Sequence, residues 1–348
     1  MSGKVNDRVG IWVGHGISLD GSKDSGCVYR YRGKLYTEAE LMVPIVNSCV
    51  HYLRECGIEV VTDAPTNKIN MVKQVSRSNA ANVRLHVAFH CDYDKAPAGT
   101  LPLYTSAKGK KLAEKMNKRV MQYSSLKTRG VAKRTDLYEL NQTNMTAVIF
   151  EVGSIRYDLK TMLHKFDAIG FGAARGICEY LGVKFDPPQM RLLNALTAIE
   201  KGILKNHFTY DGKATYTTYN ASLKGKKKVN CALFITWGLQ KMGILPTNRR
   251  IWLGDEVNGN GAATLKKKCA IYHPNKLWYH CGLHIGDGLG YQWGPSKQNK
   301  VHTMVLRGFV NGRPKYATCG SSDIKAKDLS RPRITYDRKK VKTIFRIK

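Results

Sequence analysis

Four residues, His15, Glu38, His90 and Glu151, are of the types a metal hydrolase needs. Such an enzyme binds its ion through deprotonated nitrogen and oxygen donors, keeps one position open for water, and places a carboxylate nearby to move the proton. His15 lies in Gly14-His15-Gly16 directly after the apolar run Val9 to Val13, His90 follows Leu85 to Phe89, and Glu151 follows Ala147 to Phe150. Three polar groups thus stand at the ends of three strand-like runs, the edge at which α/β sheets bind ligands. A second set suits a cysteine nucleophile, which works best as a thiolate at a helix N-terminus near a histidine held by a third polar group. Cys231 opens the apolar helix that runs to Met242, shortly after Lys226-Lys227-Lys228. His280 sits in the strand Trp278 to Ile285, and a hairpin through Gly286-Asp287-Gly288 would bring Gln292 towards it. Each of these residues also has a plain structural explanation, as a capping histidine or a buried helical cysteine.

The glutamate of the first set has a rival two positions away. Glu38 and Glu40 lie about 200° apart around a helix, so only one of them can face a metal. Thr37-Glu38-Ala39-Glu40 reads as a capping box with Thr37 as N-cap and Glu40 reaching back to its amide, which leaves Glu38 free as the ligand. Pro44 falls inside this helix and predicts a kink or a late start.

The elements that must position these groups alternate. From Val9 to Leu181 short β-branched runs and longer helical periods follow one another, the βαβ rhythm of a layered α/β domain with a largely parallel sheet. Asp186, Pro187 and Pro188 interrupt the pattern within Gly182 to Met190, and Arg191 to Lys205 restarts as a helix. A Gly/Lys/Tyr-rich stretch from Asp211 to Lys228, the Cys231 helix and aromatic-rich strands then indicate an α+β domain. The expected division is a first domain at 1–186, a connection at 187–200, a second domain at 201–320 and a basic tail at 321–348.

The chain has 348 residues, long enough for two globular cores, and carries 57 Lys and Arg against 26 Asp and Glu, a net +31. That charge implies an anionic partner: nucleic acid, acidic membrane or phosphate-rich cell wall. The excess thickens from Ser321 to Lys348, to be read either as a solvated tail or as a binding element. Nine cysteines without a CxxC pair argue against a disulfide scaffold and for a reducing site of synthesis. No signal peptide is expected before the first strand, and no apolar run approaches the ~18 residues of a membrane helix, so no membrane insertion is expected.

The first half resembles the zinc-dependent N-acetylmuramoyl-L-alanine amidases of the family-three type. The resemblance rests on Val13-Gly14-His15-Gly16, Glu38-Ala39-Glu40-Leu41, Gly57-Ile58-Glu59-Val60-Val61, Val87-Ala88-Phe89-His90, Arg129-Gly130-Val131 and Val148-Ile149-Phe150-Glu151-Val152-Gly153. It implies zinc ligands at His15, Glu38 and His90 and a catalytic carboxylate at Glu151, which would take the proton of a zinc-activated water and return it to the leaving amine. Trp12-Val13 and Cys91-Asp92 stand where the family usually has Asp-Pro and Ala-Asn. By strand alternation Cys91 should face away from a metal held by His90.

The second half resembles the NlpC-type cell-wall cysteine endopeptidases, which share a papain-like core. Asn230-Cys231-Ala232-Leu233-Phe234 stands where that family has Asp-Cys-Ser-Gly, and His280-Cys281-Gly282-Leu283-His284-Ile285-Gly286-Asp287-Gly288 matches its strand pair. The resemblance implies Cys231 as nucleophile, His280 as base and Gln292 as the group orienting it, with His284 as a rival base. The altered residues flanking Cys231 leave two readings, a stem-peptide endopeptidase or a module that holds the wall without cutting it. Together the two resemblances imply a peptidoglycan hydrolase similar to a phage endolysin, made without a signal peptide, acting at the wall and held there by anionic wall polymers. A host autolysin is an alternative. A basic nucleic-acid-binding protein is the rival from another class, supported only by charge.

Overall fold

A computed structural model of the chain describes residues 7–248, 269–272, 284–292, 301–310, 313–329 and 341–347. It divides into two compact units, Met1–Phe185 and Asp186–Lys348.

The first unit contains, in order, β1 (Arg8–Val13), β2 (Gly16–Ile17), β3 (Lys23–Asp24), β4 (Val28–Tyr31), β5 (Lys34–Thr37), α1 (Glu38–Glu55), β6 (Glu59–Val61), α2 (Met71–Ala80) and β7 (Leu85–Asp92). There follow β8 (Leu101–Tyr104), α3 (Ala107–Ser124), β9 (Ala132–Lys133), α4 (Tyr138–Asn141), β10 (Thr146–Ser154) and α5 (Leu159–Leu181). Its main sheet has the order β6-β1-β7-β10-β8-β9. The four strands β6, β1, β7 and β10 are parallel, and β8 turns back antiparallel against β10. This is an α/β fold with a largely parallel sheet. Its inner strands are apolar on both faces because helices cover both: Val9, Ile11, Trp12, Val13, Leu85, Val87, Ala88, Phe89, Val148 and Phe150 are all buried.

Three helices pack together through glycines on α5. A β-carbon at Gly172 would come within 2.7 Å of the Val120 backbone, and one at Gly176 within 2.5 Å of the Met116 backbone, so α5 and α3 touch main chain to main chain. Towards α1, Gly170 meets Ile45, Ser48 and Cys49 in the same way. The buried carboxylate of Asp167 is satisfied there by the Ser48 hydroxyl at 2.8 Å and the Tyr52 hydroxyl at 3.1 Å. Helix α1 starts at Glu38 and runs through Pro44 to Glu55, so the proline does not delay its start. Thr37 caps it, its hydroxyl accepting from the Glu40 amide at 3.2 Å.

The second unit contains α6 (Pro188–Lys205), β11 (Thr209–Tyr210), α7 (Tyr219–Lys224), β12 (Lys228–Val229), α8 (Cys231–Lys241), β13 (Cys269–Tyr272), β14 (Gly288–Gln292), β15 (Val301–Val310), β16 (Arg313–Thr318), a short helix Ser321–Lys325 and β17 (Val341–Ile347). Pro188 opens α6 at its first position, where a missing amide costs nothing. β11 and β12 pair in parallel, and five strands form an antiparallel sheet in the order β13-β17-β14-β15-β16.

The expected basic tail at 321–348 is corrected here. Residues 341–347 form an interior strand between β13 and β14, with Ile344, Phe345 and Ile347 buried. The Phe345 ring packs directly on Gly288, where any side chain would collide with it. Arg346, counted from sequence as part of a solvated charge excess, makes a two-pronged pair with the fully buried Asp287, Nε to Oδ1 and Nη2 to Oδ2, each at 2.8 Å. The net positive count of this segment masks a short apolar run, and strand pairing follows the run.

Removing one partner of such a pair strands the other charge in the interior, at a cost of about 3–5 kcal/mol. Arg346→Ala is therefore expected to lower the denaturant midpoint of the second unit. A midpoint equal to wild type in guanidinium unfolding would show that the pair contributes nothing.

Candidate metal centre

The three strand ends converge as the parallel register dictates. Glu151 is the direct partner of His90 across the β10–β7 ladder, and the Gly14 amide donates to the Phe89 carbonyl at 2.8 Å, which continues the pairing of β1 and β7 up to the histidines. His15 then leaves the strand with φ of +63°, a left-handed conformation that a residue with a β-carbon adopts at a cost of about 1–2 kcal/mol. Gly14 has no side chain because the His90 ring occupies its place: a β-carbon there would stand 2.4 Å from the imidazole. Gly26, at φ of +61°, leaves similar room for Glu38 Oε2 and the His15 ring.

Glu38 is the centre of this arrangement. It is 3% exposed and faces both histidines, whereas Glu40 faces solvent. Its Oε1 lies 3.0 Å from His90 Nδ1 and accepts the Cys91 amide at 3.0 Å. Its Oε2 accepts the Cys27 amide at 3.0 Å and lies 3.4 Å from His15 Nε2. Burial pushes the Glu38 carboxyl up, but the hydrogen bond with His90 and the charges of both histidines outweigh it and hold the group below its ordinary value.

Each imidazole is backed by a second carboxylate on the far side of its ring. His15 Nδ1 meets Asp24 Oδ2 at 2.9 Å, and His90 Nε2 meets Glu139 Oε2 at 3.3 Å. Burial lowers the pKa of His90, yet Glu139 and Glu38 together raise it well above the usual histidine value. Glu139, itself buried, is pulled below the ordinary carboxylate range by His86 and His90 against the effect of its burial. Glu151 behaves in the opposite way. Burial drives its carboxyl up to about 7, with His90 opposing and Glu38 and Asp92 adding to the shift. Its Oε2 is a buried acceptor without a hydrogen-bond partner. Arg129 pairs with Asp92 at 2.9 Å and anchors its Nε on the Gly99 carbonyl at 2.9 Å, placing a cation near Glu151.

The donors fit a divalent metal. One atom each from His15, Glu38 and His90 lie within 4.8 Å of one another, a two-imidazole, one-carboxylate set of the kind used by catalytic zinc. The nitrogens aimed at Glu38 are His15 Nε2 and His90 Nδ1. The opposite nitrogens face carboxylates, the outer contact that fixes tautomer and ring orientation in zinc sites.

Two of the supporting residues, Asp24 and Glu139, were not found by sequence reasoning. Asp24 lies in the two-residue strand β3 and Glu139 in a four-residue helix, neither with a pattern that marks a partner for histidine. Cys91 does not join the histidine set, as alternation along β7 requires, but its thiol turns to Cys27, 3.7 Å away, beside Glu38.

In the second unit Cys231 stands at the first position of α8 and is 1% exposed. Asn230 caps this helix, its side-chain oxygen accepting the Leu233 amide at 2.9 Å and its amide donating to the Ala214 carbonyl at 3.1 Å. His280 lies outside the described residues. Gln292 is the last residue of β14, paired with Val301. The amide of His284 donates to Asp287 Oδ2 at 2.8 Å within the turn before β14. Cys231 is thus seen at a helix start, and its expected base lies outside the described residues.

Residues 9–178, the segment that carries the cluster, match a known family over their whole length. The family is N-acetylmuramoyl-L-alanine amidase. An uncharacterized 38.4 kDa protein of Clostridium perfringens is 33% identical over 147 residues, 39% of this chain and 43% of that protein. The chain thus spans less than half of that relative. Among solved structures, the N-acetylmuramoyl-L-alanine amidase AmiC2 of Nostoc punctiforme is similar at 24% identity and a TM-score of 0.45, over 50% of this chain and 97% of that one. The catalytic domain of the amidase CwlV from Bacillus (Paenibacillus) polymyxa var. colistinus is similar at 24% identity and a TM-score of 0.44, over 51% of this chain and 99% of that one. The amidase match lies within the first unit and ends before α6.

Proposed function

We propose that the first unit is a zinc-dependent amidase that hydrolyses the bond between N-acetylmuramic acid and L-alanine in peptidoglycan. The observation that supports it most is the convergence of His15, Glu38 and His90 beside Glu151, inside the segment matched by the amidase family. His15, Glu38 and His90 would hold the zinc, which when bound polarises a carbonyl and lowers the pKa of a water. Glu151 does the proton work. Its carboxylate accepts a proton from the attacking water and delivers it to the departing amine nitrogen, so that the lactyl carboxyl is released from one side and a free peptide amino terminus from the other. In the metal-free protein burial lifts this carboxyl to about 7, so it can hold a proton as well as accept one. Asp24 and Glu139 hold the histidine rings, and Arg129 with Asp92 sets the charge around Glu151.

For the second unit we propose a cysteine endopeptidase acting on the stem peptide, with Cys231 as nucleophile, His280 as base and Gln292 orienting it. Placement of Cys231 at the start of α8 supports the nucleophile, since backbone amides and dipole there favour a thiolate. A wall-binding unit without activity is the second reading, favoured by the near-complete burial of that cysteine. The net +31 would hold the chain on anionic wall polymers through an attraction that salt weakens. The proposed setting is bacterial cell lysis of the endolysin kind, with synthesis in the cytoplasm and action at the wall. Among the described residues no helix is long and apolar enough to cross a membrane.

Mass spectrometry of fragments released from purified sacculi tests both heads. Free stem peptides that disappear with a zinc chelator are expected from the first unit, and further cuts lost only in Cys231→Ala from the second. No release by the zinc-loaded wild type would overturn the hydrolase reading, and identical fragments from Cys231→Ala would favour the binding unit.

A further inference from the structure

Two thiols meet at the back of Glu38. Cys27 Sγ and Cys91 Sγ are 3.7 Å apart although 64 residues separate them in sequence, and both are free cysteines. Cys27 is half-buried and reachable from solvent, while Cys91 is 3% exposed. Neither belongs to the histidine set. Their main chains do: the Cys27 amide donates to Glu38 Oε2 and the Cys91 amide to Oε1, each at 3.0 Å, so the two residues grip the carboxylate from both sides.

We propose that Cys27 and Cys91 are a site of covalent modification, an intramolecular disulfide formed by exchange with a low-molecular-weight disulfide. The half-buried Cys27, as its thiolate, attacks one sulfur of the reagent RSSR, forming a Cys27–SR mixed disulfide and releasing RS⁻. The Cys91 thiolate then attacks the Cys27 sulfur and expels the second RS⁻. The two protons lost by the protein thiols are taken up by the two leaving thiolates, so that RSSR and two cysteines give one protein disulfide and two RSH.

A soft cation between Cys27, Cys91 and Glu38 is the competing occupant, since these three donors also lie within 4.8 Å of one another. The surroundings favour the disulfide. Cys27 Sγ faces the carbonyl oxygens of Cys91 at 3.3 Å and Asp92 at 3.5 Å, so two thiolates would add negative charge among acceptors and beside a carboxylate. The neutral disulfide adds none. It would also tie the Gly26–Cys27 loop to the end of β7 and fix both amides that orient Glu38, which, on the zinc reading above, slows escape of the ion.

The test uses the full-length protein treated with oxidised glutathione, then alkylated and mapped by mass spectrometry. A Cys27–Cys91 cross-linked peptide is expected, absent from both Cys27→Ser and Cys91→Ser and reversed by dithiothreitol. Release of zinc to a colorimetric chelator is expected to slow by roughly tenfold in the oxidised wild type. Glutathione retained on Cys27 without cross-linking would overturn the proposal, as would a second zinc equivalent bound by the reduced wild type and lost in Cys27→Ser. Cross-linking without any change in zinc release would confirm the disulfide and overturn its action on the metal centre. The cross-link itself is read without activity, so it stands or falls independently of the amidase assignment.

Discussion

Glu151→Gln is expected to retain zinc and to lose amide hydrolysis by about 10²–10⁴-fold, the range over which a positioned general base accelerates proton transfer. The isosteric amide keeps the side chain's shape and removes the one group that can shuttle a proton. Steady-state release of stem peptides, with zinc content measured on the same samples, checks it; a zinc-loaded variant with wild-type turnover would remove Glu151 from the chemistry. A pH signature accompanies the loss. Burial lifts the Glu151 carboxyl from 4.5 to about 7 in the metal-free protein, so the unfolded chain releases this proton first as pH rises. The protonated folded form is fully favoured below about 4.5, the contribution falls as pH rises towards about 7, and above that it is gone. A shift of this size corresponds to about 3 kcal/mol. Metal-free wild type is therefore expected to lose stability relative to metal-free Glu151→Gln over that window, read as diverging melting temperatures. Parallel curves would show that the carboxyl is not held neutral.

On the proposed zinc reading, Glu139→Gln is expected to weaken zinc binding by about 10–100-fold while His15, Glu38 and His90 stay in place. Glu139 lies 3.3 Å from His90 Nε2 and 3.8 Å from His86 Nε2, in a site almost closed to solvent. Its negative charge raises the basicity of His90, which as a proposed ligand would bind the ion through the nitrogen that faces Glu38. Competition against a chelator of known affinity measures the effect. Turnover at saturating zinc should recover far more completely than in Glu151→Gln, because the proton-transfer group is untouched. Unchanged zinc affinity would make Glu139 a structural partner of His86 alone.

The contrast between these residues shows what a single sequence discloses. His90 and Glu151 were legible because each ends a buried apolar strand, and two parallel neighbours with aligned ends must bring such residues together. The burial of Glu38 was legible through its helix cap: of the expected capping box the Thr37 half is seen, its hydroxyl accepting the Glu40 amide, and Glu38 lies on the buried side. Asp24 was not, because it meets His15 through a two-residue hairpin pairing too short to leave a pattern, and Glu139 was not, because it reaches His86 and His90 by tertiary approach from about fifty residues away. The β17 strand is hidden for another reason: ten Lys and Arg dominate the segment's composition, while the apolar residues that bury, Ile344, Phe345 and Ile347, are few and close to its end.

The position of β17 imposes an order on assembly. β13 and β14 are not neighbours in the sheet; both hydrogen-bond to β17, which is made about fifty residues after β14. While a ribosome works through that interval, the first unit already has every strand of its own sheet, whereas among the described strands β13 and β14 each lack the neighbour that β17 will provide. The five-stranded sheet of the described residues therefore closes only after β17 has emerged. Nascent chains stalled before it would carry a folded first unit and exposed strand edges, the species that chaperones capture and that aggregate when they do not.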